Sequence, residues 1–268
     1  MQISFSQLQV YGQCPRQYEF AFVKKLSRVI SAGESFGSSV HNALKKWGEE
    51  EVKAMSHKRS AISGQLTLLP QDGAVRYSSQ LTDDRLRALW HQSFIVEGYP
   101  SKAEADAARV RGEKLMEHFY EWWQKEERDV IAVEAGFSIP ITGHQSPTTL
   151  TGRFDRVERD GEGVRIIDFK TTVPRDQASA DADLQLSIYA LAAQEAFGLP
   201  CTTLSLLFLS ENGVIERITR RSASHLGEAQ EQIARLRTGM AAGDFSPSPS
   251  PTKCHRCPFR NVCDAAVP

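Results

Sequence analysis

The stretch "TGRFDRVERDGEGVRIIDFKTT", Thr151 to Thr172, constrains this chain more than any other. It reads as two strands around a short turn, with acids where apolar residues would cost less. A turn centred between Gly161 and Glu162 sets Asp155 directly opposite Asp168, with β-carbons about 4.5–5.5 Å apart. An odd loop length would shift that register. Two like charges so placed destabilise a sheet unless something compensates. Lys170, two residues past Asp168, points to the same face and supplies one positive charge. A divalent cation, which favours clustered carboxylate oxygens, would supply more. The competing reading is a solvated hairpin whose Asp–Asp–Lys cluster merely faces water. The mostly apolar run Val164 to Phe169 argues for a central strand instead, where an Asp and a Lys are costly unless they work.

Around the hairpin the chain alternates helix and strand patterns. Ser6 and Gln9 have capping-box spacing, which predicts a helix from near Gln7 with Leu8 and Tyr11 on one side and a break at Pro15. Phe36, Val40, Leu44 and Trp47 fall at helical spacing. Residues 55–79 show no sustained period and read as irregular; helices follow over about 82–96 and 102–125. Strand patterns at about 130–142, 202–210 and 214–219 and helices ending at Gly198 and Gly243 complete an α/β pattern. With 268 residues, 41% hydrophobic and 24% charged, the chain is read as a single domain. Within it, about 55–127 form a helical insertion and 246–268 a Cys-rich tail. The net charge of −1 leaves any nucleic-acid surface to a local patch. No signal-peptide pattern or bilayer-length apolar run is evident, so a soluble cytoplasmic protein without a membrane partner is expected.

Several further residues carry chemistry. His41 leaves the Phe36/Val40/Leu44 stripe by about 100° of helical rotation, and its own face carries the small residues Gly37, Ser38 and Gly48. Gln185 and Tyr189 stand at i and i+4 on one helical face. Glu134 lies in a strand pattern between Val133 and Ala135, where an acid can simply face solvent. Cys254, Cys257 and Cys263 form a C-x₂-C-x₅-C tail that needs a fourth ligand; His255 would make a zinc knuckle but sits between two ligands. Cys201 precedes an apolar strand and reads as a structural thiol, which leaves Cys14 about 240 residues upstream.

"GRFDRV" followed by "IIDFKT" resembles the core of the PD-(D/E)XK nuclease superfamily, in its RecB-type branch. The resemblance implies a restriction-endonuclease-like mixed sheet flanked by helices. It makes Asp155 and Asp168 ligands of Mg²⁺ or Mn²⁺ and Lys170 catalytic. "FGSSVHNAL" resembles the segment of that branch whose histidine is a metal ligand, here His41. "QLSIYA" resembles its Gln-x-x-x-Tyr pair, so Gln185 and Tyr189 join the site, and Glu134 matches a family acid on the preceding strand. The start "S-x-S-x-L-x-x-Y-x-x-C-P", at Ser4, Ser6, Leu8, Tyr11, Cys14 and Pro15, is similar to an iron–sulfur subgroup. That subgroup includes AddB nuclease domains and CRISPR-associated nucleases that process spacer ends. It implies a [4Fe–4S] cluster on Cys14, Cys254, Cys257 and Cys263 that joins the two ends of the chain, with zinc as the alternative.

Together these features lead to the expectation of a metal-dependent deoxyribonuclease. Its substrate is single-stranded DNA trimmed from an end, in DNA repair and recombination or CRISPR spacer acquisition, beside a helicase or CRISPR adaptation proteins. Tyr11, Arg16 and Tyr18 are candidates for base stacking and phosphate contact, or else they pack around the cluster. A non-catalytic DNA-binding module of a helicase–nuclease complex is the alternative, and a zinc-dependent adaptor a third reading.

Overall fold

A computed structural model describes residues 2–62, 81–141 and 148–268, with the backbone alone over 56–62. The chain opens with β1 (Gln2–Ser4) and α1 (Phe5–Gln13). The capping box forms two residues earlier than the Ser6/Gln9 spacing suggests. Ser4 Oγ accepts from Gln7 N–H at 3.2 Å, and Ser4 N–H donates to Gln7 Oε1 at 2.8 Å. The reason is tertiary: β1 pairs with a later strand through Ser4, so extended backbone ends there and the helix begins at once. Leu8 and Tyr11 lie on one side of it as expected, and both are buried. Pro15 breaks the helix after Cys14 and takes the first position of α2 (Pro15–Tyr18), which runs into a π-helical turn over Glu19–Val23.

α3 (Ala32–Ile62) buries Phe36, Val40, Leu44 and Trp47. It continues past Met55, so 55–62 is helical where irregular chain was expected; the rest of that stretch, to residue 79, lies outside the described residues. α4 (Asp83–Ser93) and α5 (Lys102–Trp123) follow, capped by Thr82 and Ser101. Next come β2 (Val130–Ile141), β3 (Thr148–Asp160) and β4 (Gly163–Lys170). α6 (Gln177–Asp181) and α7 (Leu184–Phe197) then cross to β5 (Cys201–Ser210) and β6 (Gly213–Thr219). α8 (Ala223–Ala242) and the short α9 (Pro251–His255) end the chain. Among the described residues no helix is long and apolar enough to cross a membrane.

The strands form one mixed sheet in the order β1-β3-β4-β5-β6, with β2 paired to β3. β4 and β5 run parallel, as a crossover through helices requires, while β2–β3, β3–β4 and β5–β6 are antiparallel. One core gathers Leu8, Leu150, Phe154, Ile188 and Ile233 under α1, α7 and α8. The other gathers Trp47, Trp90, Phe119, Ile167 and Phe169 under α3, α4 and α5. β4 is therefore apolar on both faces, as its sequence suggests.

β3 is the longest strand, and two partners share one of its edges. β1 takes Thr149–Thr151, and β4 takes Arg156–Asp160. Residues 152–155 are left without a strand partner on that edge among the described residues. The candidate site occupies this interruption.

Candidate active site

The hairpin register is the one the turn predicts: Asp160 pairs with Gly163 and Arg156 with Ile167. The next step would set Asp155 against Asp168, but the ladder lapses there. Instead Asp155 Oδ2 accepts the Phe169 N–H at 2.9 Å, so the carboxylate takes over where a backbone carbonyl would otherwise act. The opened strands let helices approach the two acids.

Asp155 meets α3 and β2. His41 Nδ1 lies 3.4 Å from Asp155 Oδ2. Glu134 stands on β2 between the Val133–Arg156 and Ala135–Phe154 pairs, so it flanks Asp155 from the other edge. One ligand atom from each of His41, Glu134 and Asp155 falls within 4.8 Å of the others. Glu134 sits at φ +48, a left-handed conformation that strains a residue with a β-carbon and is found at functional positions. α3 reaches this distance because Gly48 has no side chain: a β-carbon there would lie 2.4 Å from Val133 Cγ1.

Asp168 points toward α7 and is 2% exposed. A closed ring surrounds it. Lys170 Nζ lies 2.5 Å from Asp168 Oδ2 and donates to Gln185 Oε1 at 2.9 Å. Gln185 Nε2 donates to Tyr189 Oη at 2.8 Å, and Tyr189 donates to Asp168 Oδ1 at 3.1 Å. The first turn of α7 that carries Gln185 is fixed by its cap, Asp183, which accepts from the N–H groups of Gln185 and Leu186. Gln185 and Tyr189 thus act on Asp168 and Lys170 as one bonded unit.

Burial pushes the Asp168 carboxyl up to about 6, against the pull of Lys170, and the nearby Asp155 charge adds to the rise. For Lys170 burial favours the neutral amine, but Asp168 outweighs it and holds the ammonium above its ordinary value. His41 behaves alike: burial would lower it, and its hydrogen bond to Asp155 raises it instead. Tyr189 is driven well above the usual phenol range, first by burial and then by the two aspartates, so it keeps the proton that it donates to Asp168.

An imidazole nitrogen and two carboxylates at mutual metal-ligand spacing suit a hard divalent ion such as Mg²⁺ or Mn²⁺. Asp168 Oδ2 is buried with the Lys170 ammonium against it, and its remaining lone pair is one that a nearby cation would take. The residues present fit the ion.

Cys14, Cys254, Cys257 and Cys263 line one pocket together with Phe20, Pro247 and Arg260. The Cys257 thiol is pushed up by burial, and the other three sulfurs add to the rise. His255 is exposed and does not line the pocket. Cys201 lies at the start of β5 and bonds Thr203 O at 3.6 Å. Of the two readings of Tyr11, Arg16 and Tyr18, nucleic-acid contact or packing around the cysteines, the geometry fits packing. Tyr11 and Tyr18 are each only 6% exposed; Tyr11 donates to Asp244 O at 2.6 Å and meets the Tyr18 ring edge-on, so neither presents a face to a base. Arg16 pairs with Glu19 at 3.5 Å and lines the cysteine pocket.

The sequence reading missed a second cluster of buried charge beside the site. Arg156, next to Asp155, binds both oxygens of Glu51 on α3 and donates to Glu158 Oε1 at 2.7 Å. Arg128 and Arg165 close on the same Glu158. Glu51 and Arg156 are too far apart in sequence to suggest a pair, and each alone looks like a solvated charge.

The fold and site are those of a nuclease. Residues 2–264 match the PD-(D/E)XK nuclease superfamily, and the chain belongs to it. The chain is similar to the Gene 69 protein of Mycobacterium phage L5 (22% identity, over 97% of this chain and 95% of that one). Its likeness to the Gene 69 protein of Mycobacterium phage D29 is 24% with the same coverage. Among solved structures, a candidate exonuclease from Eubacterium rectale overlays with a TM-score of 0.46 at 11% identity, covering 99% of this chain and 89% of that one. Members of this superfamily hydrolyse phosphodiesters with divalent metals.

Proposed function

We propose that this protein is a divalent-metal-dependent deoxyribonuclease of the RecB-type branch that trims single-stranded DNA from a free end. The observation that carries the reading is the His41/Glu134/Asp155 group set beside the Asp168–Lys170–Gln185–Tyr189 ring. His41, Glu134 and Asp155 would hold the ion, with Asp168 adjacent. The bound ion would polarise the scissile phosphate and acidify a coordinated water. Lys170, held protonated by Asp168 and with 21% of its side chain open, serves as a cation rather than as a base. It orients the attacking water and stabilises charge on the phosphate. Gln185 and Tyr189 fix the ammonium and the carboxylate so that neither swings away. A module that only binds DNA has no use for this arrangement.

The four thiols around one pocket support a [4Fe–4S] cluster that ties the N-terminal segment to the tail. Tetrahedral zinc, with Zn–S about 2.3 Å, would draw its sulfurs to roughly 3.8 Å from one another. A [4Fe–4S] cluster holds its thiolates further apart, and elemental analysis for iron and zinc separates the two. Such a link closes nearly the whole chain and restricts the unfolded state by about 5 kcal/mol on loop-entropy grounds.

End-labelled linear and closed circular single strands, incubated with Mn²⁺ and with EDTA, test the reading. Linear strands should be digested with Mn²⁺ alone, and circles should survive; digestion of circles would remove end-trimming, and no digestion of either would remove the nuclease. In an anaerobic preparation Cys14→Ala should lose the iron and brown colour, and Cys201→Ala should keep both. A Cys14→Ala protein with full iron and unchanged melting would overturn the cluster.

A further inference from the structure

Arg153 lies on β3 two residues before Asp155, in the stretch without a strand partner on its β1/β4 edge. Its Nη1 meets Glu134 Oε2 at 3.0 Å, yet 62% of the side chain is exposed. One nitrogen is engaged, and among the described residues no other contact of this guanidinium stands out. Arginine carries five donors in a planar fork that matches phosphate oxygens. Arg153 is therefore a cation leashed to a carboxylate of the candidate metal group, with unused donors turned to solvent.

We propose that Arg153 forms a phosphate subsite, taking a backbone phosphate of the nucleic-acid strand next to the one that is cut. This rests on the nuclease reading above and extends it to a residue that the motif resemblance gives no role. Lys170 and His41 point inward and are committed to Asp168 and Asp155. Arg153 faces out from the same cluster and is free to rotate about its leash.

Glu134 couples the subsite to the ion. Its carboxylate serves two cations, the guanidinium outside and a metal ion inside, and each lowers the negative charge available to the other. Without nucleic acid, Arg153 competes for Glu134. A phosphate that takes up the guanidinium relaxes that competition, so substrate and ion bind each other's site more tightly by linkage. Removing the guanidinium should therefore weaken nucleic-acid binding and, in the free protein, leave metal binding equal or stronger. A residue that merely propped up Glu134 would weaken both.

The experiment uses the full chain, wild type and Arg153→Gln and Arg153→Lys. Binding of a fluorescein-labelled single-stranded oligonucleotide is followed by anisotropy in Ca²⁺ across a salt series, and Mn²⁺ binding to the free protein by calorimetry. Arg153→Gln should bind the oligonucleotide about tenfold more weakly, with a salt slope reduced by about 1. Its Mn²⁺ affinity should match or exceed wild type. Arg153→Lys should recover the salt slope but not the full affinity. Unchanged oligonucleotide affinity and slope in Arg153→Gln would overturn the subsite, as would loss of Mn²⁺ binding. A wild type that binds no nucleic acid would take down the nuclease reading with it; one that binds and cleaves while Arg153→Gln does so equally well removes the subsite alone.

Discussion

Asp155 and Arg156 are neighbours on β3, and each anchors a buried cluster of charge. The two clusters are built on opposite terms. Around Arg156 every carboxylate meets a guanidinium: Glu51 and Glu158 face Arg156, Arg128 and Arg165, and Glu126 and Glu216 close the outer side. Burial alone would raise the Glu158 carboxyl, but Arg156 and Arg128 outweigh it and hold it below its ordinary value. The Arg128 guanidinium also lies 3.5 Å over the Trp122 ring. Around Asp155 each acid has a single cationic neighbour, Lys170 on Asp168, His41 on Asp155 and the exposed Arg153 on Glu134, yet Asp168 is pushed up and Glu134 is strained. The first cluster is complete in the protein itself, and the second is completed by a cation from outside. A buried acid that its own surroundings disfavour marks function better than burial of charge does.

Exchange of the two roles would break this comparison, and the largest effects lie in activity. Lys170→Ala and Asp168→Asn should each reduce cleavage by roughly a thousandfold or more, with Lys170→Ala retaining Mn²⁺ binding because lysine is no ligand. Near neutral pH Asp168→Asn should also melt above wild type, because it removes a charge that burial disfavours. Arg156→Ala should do the reverse to stability. It leaves Glu51 and Glu158 buried without their main partner, a loss of about 3–5 kcal/mol. Part of that loss should return when Glu51→Gln is added, as the coupling of a double-mutant cycle. Denaturant unfolding read beside turnover separates the two, and an Arg156→Ala protein of wild-type stability would show that its cluster is ornamental.

The pH dependence of stability should also split by cluster. Asp168 has a folded value of about 6 against an ordinary 3.8. Between those values the folded protein holds more protons than the unfolded one, so stability falls as pH rises, by at most about 1.4 kcal/mol per pH unit. Glu158 lies below its ordinary 4.5, so its contribution is present above that pH and is lost as pH falls through the folded value. Metal-free protein should therefore gain stability from pH 6 toward 4.5 and lose it in stronger acid. Asp168→Asn should flatten the upper limb, and Glu158→Gln the lower. Urea midpoints at half-unit pH steps measure both limbs; an upper limb unchanged by Asp168→Asn would mean that Asp168 is not the group responsible.

Only one of the clusters was legible in the sequence. The turn residues fixed the facing of Asp155 and Asp168, and the period of the apolar residues placed β4 centrally. Local pattern could not show that the ladder lapses at that pair, because the lapse depends on β1 and β4 sharing one edge of β3. The same pairing moved the first helix cap from Ser6 to Ser4. Glu51–Arg156 was invisible for another reason: a charge satisfied by a residue 105 positions away looks like any solvated charge. The burial of Tyr11 and Tyr18 was equally hidden, since an aromatic that packs and one that stacks on a base have the same local sequence.

The smallest effect tests how the clusters share one helix. α3 carries His41 into the site and Glu51 into the clamp, with Gly48 between them against Val133. Gly48→Ala would favour the helix by about 1 kcal/mol from propensity alone. The added methyl would sit 2.4 Å from Val133 Cγ1, and valine has few rotamers to yield with. Overpacking of this kind costs about 1–3 kcal/mol, so the net change in stability should be small. The displacement has two places to go: toward Glu51, three residues on, or toward His41, seven residues back. The clamp is buried and hydrogen-bonded on both sides, whereas His41 holds Asp155 by one long contact, so the site should give way first. Gly48→Ala should then lower Mn²⁺ affinity several-fold with little change in melting, and adding Val133→Ala should restore it. Unaltered Mn²⁺ binding together with a lowered melting temperature would reverse the order, making the clamp the softer of the two.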